Sequence, residues 1–210
     1  EVLGLEAENV TLGWRFPGAN APEQDLLNLA GEIINNGKAG LLDVNLIQQQ
    51  KVLSCYAGTY GMADHNAFVM NGRPKQGQTL DQVKDLLLAE IEKLKKGEFD
   101  ESLLEAVMNN YKLDQMSYLE ENEGRADMFV SAFINGTEWK DEVEALDRMS
   151  KITKQQIVDF ANKYFGDNYA LVYKKQGKDP NEKKIDKPQI TPIVMNRDSA
   201  SAFLKEIQAS

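Results

Sequence analysis

Residues 10–16 read Val-Thr-Leu-Gly-Trp-Arg-Phe and are followed by Pro17-Gly18. Every second side chain in this segment is large and apolar, which predicts a strand with one buried face. A helix follows, because Pro22 and two acidic residues open a helical turn and apolar residues then recur at helical spacing. Asn35-Asn36-Gly37 ends that helix. The segment therefore predicts a sheet that carries a helix on one face.

The next part of the chain predicts a short helix and a pair of strands. The helix runs from about Leu41 to Gln50. Two segments with alternating apolar residues follow, Val52 to Met62 and Asn66 to Arg73, with Asp64-His65-Asn66 between them. Polar residues of this type favour turns, so the two segments predict an antiparallel hairpin.

A helical block comes after the hairpin. Thr79 with Gln82, and Thr153 with Gln156, have the spacing of capping boxes and predict the first turns of two helices. Asp100 caps a longer helix between them.

Three further features complete the pattern. Gly124 kinks or divides the longer helix, and Trp139, Val143 and Leu146 mark one more helix. Aromatic and Met residues recur at helical spacing throughout this block, including Phe129 and Phe133, which predicts that they belong to the core. The stretch from Asn168 to Tyr173 predicts a closing strand.

Strands, then helices, then a final strand favour the α+β class. We expect a two-layer sandwich, with a mainly antiparallel sheet and helices packed on one face. Residues 1–176 are predicted to form this domain, and residues 177–210 a charged, Pro-containing linker that ends in a small helical pattern, Ala200 to Ile207.

The composition excludes several classes of function. The chain has 210 residues, 24 Lys plus Arg against 33 Asp plus Glu, one His and one Cys. A net charge of −9 argues against a nucleic-acid partner. A zinc site made by the protein alone needs more His or Cys than this chain has. No apolar run approaches the length of a membrane helix, so we expect a soluble domain, and the start at Glu1 without a leader suggests an excised piece.

Two local motifs are candidate sites. His65 beside Asp64 could activate Ser54 or Cys55 as a nucleophile, but the favoured interpretation is a polar residue in a hairpin turn, where Asp and Asn neighbours are common. Gly37 to Gly40 lacks the Ser or Thr of a phosphate-binding loop and no strand precedes it. The residues alone therefore assign no catalytic, metal or cofactor-binding residue, and substrate-binding residues stay unassigned.

The order of segments resembles the pitrilysin/insulinase family of zinc metallopeptidases, the inverted zincins, with their mitochondrial-processing-peptidase-like domains. The resemblance covers about Val10 to Tyr173. The segments that carry it are Val10 to Pro17, Asp25 to Asn36, Gly40 to Leu42, the paired strands, Thr153 to Phe165 and Tyr169 to Val172.

The resemblance implies the non-catalytic second domain of such an enzyme. Zinc and the general base would then come from an upstream catalytic domain, while this domain would help to enclose a peptide substrate and would be inactive alone. A second half of the same chain, or a partner subunit, is implied as a further partner. The bacterial periplasm and the cytoplasm both fit the resemblance.

One departure and two alternatives remain. Relatives carry arginines where this chain has Lys38 to Leu42 and Ile47 to Lys51, so no functional residue is transferred from the family. The chain could instead belong to a non-enzymatic scaffold or core subunit of the same fold, or to a self-contained enzyme built on His65.

Overall fold

The computed structural model divides into two units, residues 1–178 and residues 179–210. The first unit contains a five-stranded sheet. The structure describes residues 1–178, 180, 185–192 and 200–209. The strands are β1 Val2–Gly4, β2 Asn9–Pro17, β3 Ser54–Tyr60, β4 His65–Arg73 and β5 Ala170–Gln176.

The strands lie in the order β1-β5-β2-β4-β3. The β2–β4, β2–β5 and β3–β4 pairings are antiparallel, and β1 runs parallel to β5. The predicted α+β fold with a mainly antiparallel sheet is confirmed. Strand β1 was not predicted, because three residues are too few for a periodic signal. The residues of β5 with which β1 pairs also lie far from it in the sequence.

Helices occupy the connections between strands. They are α1 Gln24–Ile34, α2 Leu80–Lys96, α3 Glu101–Glu120, α4 Asn122–Asn135, α5 Trp139–Val143, α6 Ala145–Met149 and α7 Lys154–Tyr164, with a π-helical segment at Asp43–Ile47. The predicted capping boxes begin α2 and α7, where Thr79 accepts from the Gln82 amide and Thr153 from the Gln156 amide.

Several predicted boundaries were wrong. The helix predicted from Leu41 to Gln50 begins at Leu41 but ends earlier, in the π-helical segment Asp43–Ile47, and Gln50 follows with a positive φ of 51°. The single helix predicted at Trp139 is divided at Glu144 into α5 and α6. His65 begins β4 rather than lying in the turn, because its backbone pairs with Pro17. The closing strand begins and ends later than predicted, at Ala170–Gln176.

The core lies between the helices and one face of the sheet. On β2 the even-numbered side chains are buried, and Trp14 and Phe16 contact an aromatic cluster. Phe165 lies edge-on to Trp14, Phe16 and Phe68, with ring centroids 5.2–5.4 Å apart. Edge-to-face pairs at these distances stabilise a core beyond the area they bury.

The long helix is divided near Gly124, as predicted, and the break itself lies at Glu121, which has an extended backbone. Gly124 lies in the first turn of α4, and a Cβ there would collide with the backbone oxygen of Tyr118 near the end of α3. Only glycine permits that approach, so α3 and α4 form a tight helical pair.

The second unit contains α8 Ala202–Ala209. It overlaps the small helical pattern predicted at Ala200 to Ile207. The predicted linker also includes residues 179, 181–184, 193–199 and 210, which lie outside the described residues. Its role as a connector stays a prediction.

Candidate functional site

The sheet presents one face away from the helices, which we call the open face. Strand register shows which residues lie on this face. They are the odd-numbered residues of β2 and β4, the even-numbered residues of β3 and β5, and Val2 and Gly4 of β1. Their side chains are half-buried or exposed, whereas most of the alternate residues on β2 and β4 are buried.

The open face is cationic. It carries Arg15, Arg73 and Lys174, and within residues 1–178 none of its strand positions is Asp or Glu. The whole chain has a net charge of −9. The strand positions of this face therefore carry a net positive charge on an otherwise acidic protein.

The two arginines are available to a ligand. Among the described residues, neither Arg15 nor Arg73 forms an ion pair. The Arg15 guanidinium hydrogen-bonds to Nε2 of His65, while Lys174 Nζ donates to the carbonyl of Ala7 at 3.0 Å. Arg15 and Lys174 thus each have one neutral hydrogen-bond partner, and the guanidinium groups of Arg15 and Arg73 keep their charge free of a carboxylate among the described residues.

Small and aromatic residues lie between these charges. Gly58, Val69, Gly13 and Ala170 form a row across the sheet, and a Cβ at either glycine would meet no atom within 4 Å. Tyr56 and Tyr60 stand beside this row on β3 and are 49% and 54% exposed. The centre of the open face is therefore a shallow apolar trough.

The edges of the sheet are β1 and β3. On β3, the amide of Ala57 donates to the side-chain oxygen of Asn35 at 3.0 Å, so this backbone group is already paired. Nδ2 of Asn35 donates in turn to Asp43 at 2.7 Å. The residue that follows α1 thereby occupies a backbone donor of the β3 edge, which disfavours pairing of this edge with a strand from another molecule.

The loop at Gly37 to Gly40 does not form a phosphate cradle. Its amides are occupied, because Lys38 and Ala39 donate to the side chain of Asn36 and Gly40 donates to Asp43 at 3.0 Å. Asp43 is itself 4% exposed. A buried carboxylate fills the position that an anionic ligand would need.

The structure separates the residues of the candidate nucleophile pair. Cys55 pairs with Gly72, seven residues along β4 from His65, which corresponds to about 23 Å. Cys55 also faces the helices, and burial raises the pKa of its thiol to about 12. Ser54 lies at the same end of the hairpin, paired with Arg73, so His65 cannot activate either residue.

The described residues do not fit a zinc ion. Across residues 1–178 and the described part of the second unit, no group of three or more His, Cys, Asp and Glu side chains could hold a metal. The imidazole of His65 contacts an arginine instead of a carboxylate, which is the wrong neighbour for a ligand. We therefore derive no step through a metal on this chain.

A second exposed surface lies on α4 and α5, which we call the helical apolar surface. Phe129 stacks on Trp139 with ring centroids 4.1 Å apart. Phe133 is 87% exposed, and the prediction that Phe129 and Phe133 belong to the core was wrong. The remaining members are Val130, Ile134 and Val143. A contiguous apolar surface of this kind is typical of protein interfaces.

Neither surface could be located from the sequence. The open face can be identified only once the pairing register of the strands is known. The helical apolar surface has the periodicity of an apolar stripe, and periodicity does not show whether another element covers that stripe. Among the described helices, none is long and apolar enough to span a membrane.

The fold is that of the α+β metallopeptidase domains that the sequence resembles. The chain belongs to the family described as the peptidase M16 inactive domain, which its residues 2–111 match.

Known relatives agree with that assignment. The chain is 23% identical over 169 residues to a zinc protease, PqqE, from Helicobacter pylori, covering 78% of this chain and 37% of the relative. It is similar to a protease structure from Helicobacter pylori with a TM-score of 0.76 and 21% identity, over 83% of this chain and 43% of that one.

A third relative has nearly the same extent. The inactive peptidase domain of a protein from Bordetella parapertussis matches with a TM-score of 0.70 and 18% identity, over 89% of this chain and 96% of that one. The chain therefore spans under half of the two Helicobacter proteins and almost all of a domain solved by itself.

Proposed function

We propose that this chain is the substrate-enclosing, non-catalytic domain of a zinc-dependent endopeptidase. The zinc and the general base belong to a companion domain, since the described residues here contain no ligand set. Membership of the inactive-domain family and the likeness to a zinc protease support this proposal.

The observation that carries the proposal is the uncovered open face. A stable sandwich needs only one face of its sheet for the core, so the second face is free to form a wall. Its tyrosines and its glycine trough provide contact area for an extended peptide without a deep pocket. The chain binds and orients the peptide and keeps bulk water from it, while bond cleavage takes place on the companion.

The helical apolar surface supports contact with that companion. Phe133 is exposed across 87% of its surface, and the stacked pair of Phe129 and Trp139 lies beside it. Large aromatic side chains are the usual anchors of protein interfaces. We assign this surface to the companion and residues 177–210 to the connector that follows the domain.

The proposal is tested by producing the chain alone and together with the companion domain of its parent protein. Alone, it should bind no stoichiometric zinc and cleave no peptide. Together, the two should cleave an unstructured peptide, and a chelator should abolish the cleavage. If the assembled protein is inactive and its companion lacks the H-x-x-E-H motif, the chain is a scaffold subunit instead.

A surface variant tests the assembly. Phe133→Glu should weaken binding of the companion by about tenfold or more, because it places a charge in an apolar contact. Leu5→Glu is the matched control, since Leu5 is 76% exposed in the loop between β1 and β2. If the two variants bind the companion with equal affinity, the helical apolar surface is not part of the interface.

A further inference from the structure

The charge of the open face points to a particular class of peptide, and this inference rests on the proposed function. We infer that the open face binds extended segments that carry two acidic side chains about six residues apart, with small or apolar residues between them.

The charge pattern selects acidic ligands. The open face has two guanidinium groups that form no ion pair with a described residue, and within residues 1–178 it has no carboxylate at a strand position. Arginine is suited to carboxylates because its planar fork donates two parallel hydrogen bonds. Since the rest of the chain is strongly acidic, an acidic peptide is repelled elsewhere and attracted here.

Strand register gives the spacing. Arg15 on β2 is opposite Ala67 of β4, and Arg73 lies six residues further along β4. Six residues of strand cover about 20 Å, which is also the length of six residues of extended peptide. Residues i and i+6 of an extended segment point to the same side, so both acidic side chains can face the sheet together.

The surface between the arginines fits small or apolar side chains. A peptide that follows β2 and β4 passes over Gly13 and Val69, where the trough leaves room for side chains. Tyr60 lies in the same row as Arg15 and offers an aromatic ring and a hydroxyl at that end.

A nucleic acid fits this face poorly. Phosphate recognition relies on many cations, whereas two arginines in a chain of net charge −9 provide few. Coverage of the open face by the companion domain is an alternative outcome, which measurements on the assembled protein distinguish.

The test uses three fluorescent peptides and the 210-residue chain. The first is Glu-Val-Ala-Gly-Ala-Val-Glu, the second has Lys in place of both Glu, and the third has the same composition with the two Glu adjacent. Fluorescence anisotropy measures their dissociation constants at low salt. The first should bind about 2- to 30-fold more tightly than the others, because each exposed ion pair contributes modestly. Equal affinities for the three peptides would overturn the inference without requiring any variant to fold.

Charge variants assign the effect to the open face. In the double variant Arg15→Gln/Arg73→Gln the preference for the first peptide should disappear. The control Lys112→Gln/Lys151→Gln removes two exposed lysines elsewhere and should keep it. Loss of the preference in the control, or its survival in the arginine variant, would contradict the assignment.

The assembled protein separates this inference from the proposed function. Zinc-dependent cleavage of a neutral peptide with no preference for the spaced acidic peptide would refute the inference alone. Absence of any zinc-dependent cleavage would refute the proposed function. If the companion protects the exposed rings of Tyr56 and Tyr60 from hydroxyl-radical oxidation when no peptide is present, the open face is an interdomain contact and the inference fails.

Discussion

Replacing Trp14 with Phe should destabilise the domain far more than the same change at the other tryptophan. Trp14 is 1% exposed at the centre of the aromatic cluster, and its indole N–H donates to the carbonyl of Gly166 at 2.9 Å. Trp139 is 41% exposed and retains its stacking partner in the phenylalanine variant. The two substitutions are chemically identical, so their difference isolates the effect of burial.

The magnitude for Trp14→Phe follows from two losses. The hydrogen bond to Gly166 contributes about 1 kcal/mol, and its loss leaves a carbonyl without that partner. The smaller ring buries less apolar area and leaves a cavity, which costs a further 1–2 kcal/mol or so. We expect a loss of about 2–3 kcal/mol in the free energy of unfolding, and a fall in Tm of about 4–12 °C.

Urea unfolding followed by far-ultraviolet circular dichroism measures both variants without relying on tryptophan emission. Trp139→Phe should cost about 0.5 kcal/mol or less, as most surface changes do. If Trp14→Phe costs no more than Trp139→Phe, the aromatic cluster does not hold β2 against the helices as described.

Three further predictions concern single sites. The thiol of Cys55, whose pKa burial raises to about 12, should react with a disulfide reagent at pH 8 only when the protein unfolds; rapid reaction of the native protein would contradict its burial. Burial, followed by nearby carboxylates that include Asp114, raises the pKa of Glu32. The folded state therefore holds this proton to a higher pH than the unfolded state, and stability falls as pH rises through the raised pKa. Glu32→Gln should stabilise the protein at pH 7 but not at pH 4, and an equal effect in urea titrations at both values would exclude a titration effect. Thr79→Ala and Thr153→Ala should each cost about 1 kcal/mol in the same titrations, because each removes an N-cap that accepts a backbone hydrogen bond; neutral substitutions would show that these caps contribute nothing.

Local signals in the sequence predicted local structure well. The alternation in β2 and β4 and the two capping boxes depend only on residues close together in the chain, and the structure confirms them. Strand β1 could not be predicted because the β5 residues with which it pairs are about 170 residues away in the sequence. The helix predicted at Leu41 to Gln50 is shorter and partly π-helical, and its Asp43 side chain accepts hydrogen bonds from Asn35 and Gly40, which local periodicity does not reveal.

The candidate surfaces were harder to predict for a different reason. Arg15 and Arg73 lie on the same face only because β2 and β4 pair in one register, which no short segment encodes. Phe133 has the periodicity of a core residue and yet is exposed, since periodicity does not reveal what a helix packs against. Fold class is therefore readable from local pattern, whereas function depends on which surfaces the fold leaves uncovered.

The most direct test of the central claim is a paired measurement of zinc content and peptide cleavage, made on the chain alone, on its companion domain alone and on the two assembled. We predict about one zinc per assembled protein, retained by the companion and absent from this chain, with cleavage only in the assembly. One equivalent of zinc tightly bound to this chain, or peptide cleavage by this chain alone, would contradict its assignment as the non-catalytic domain.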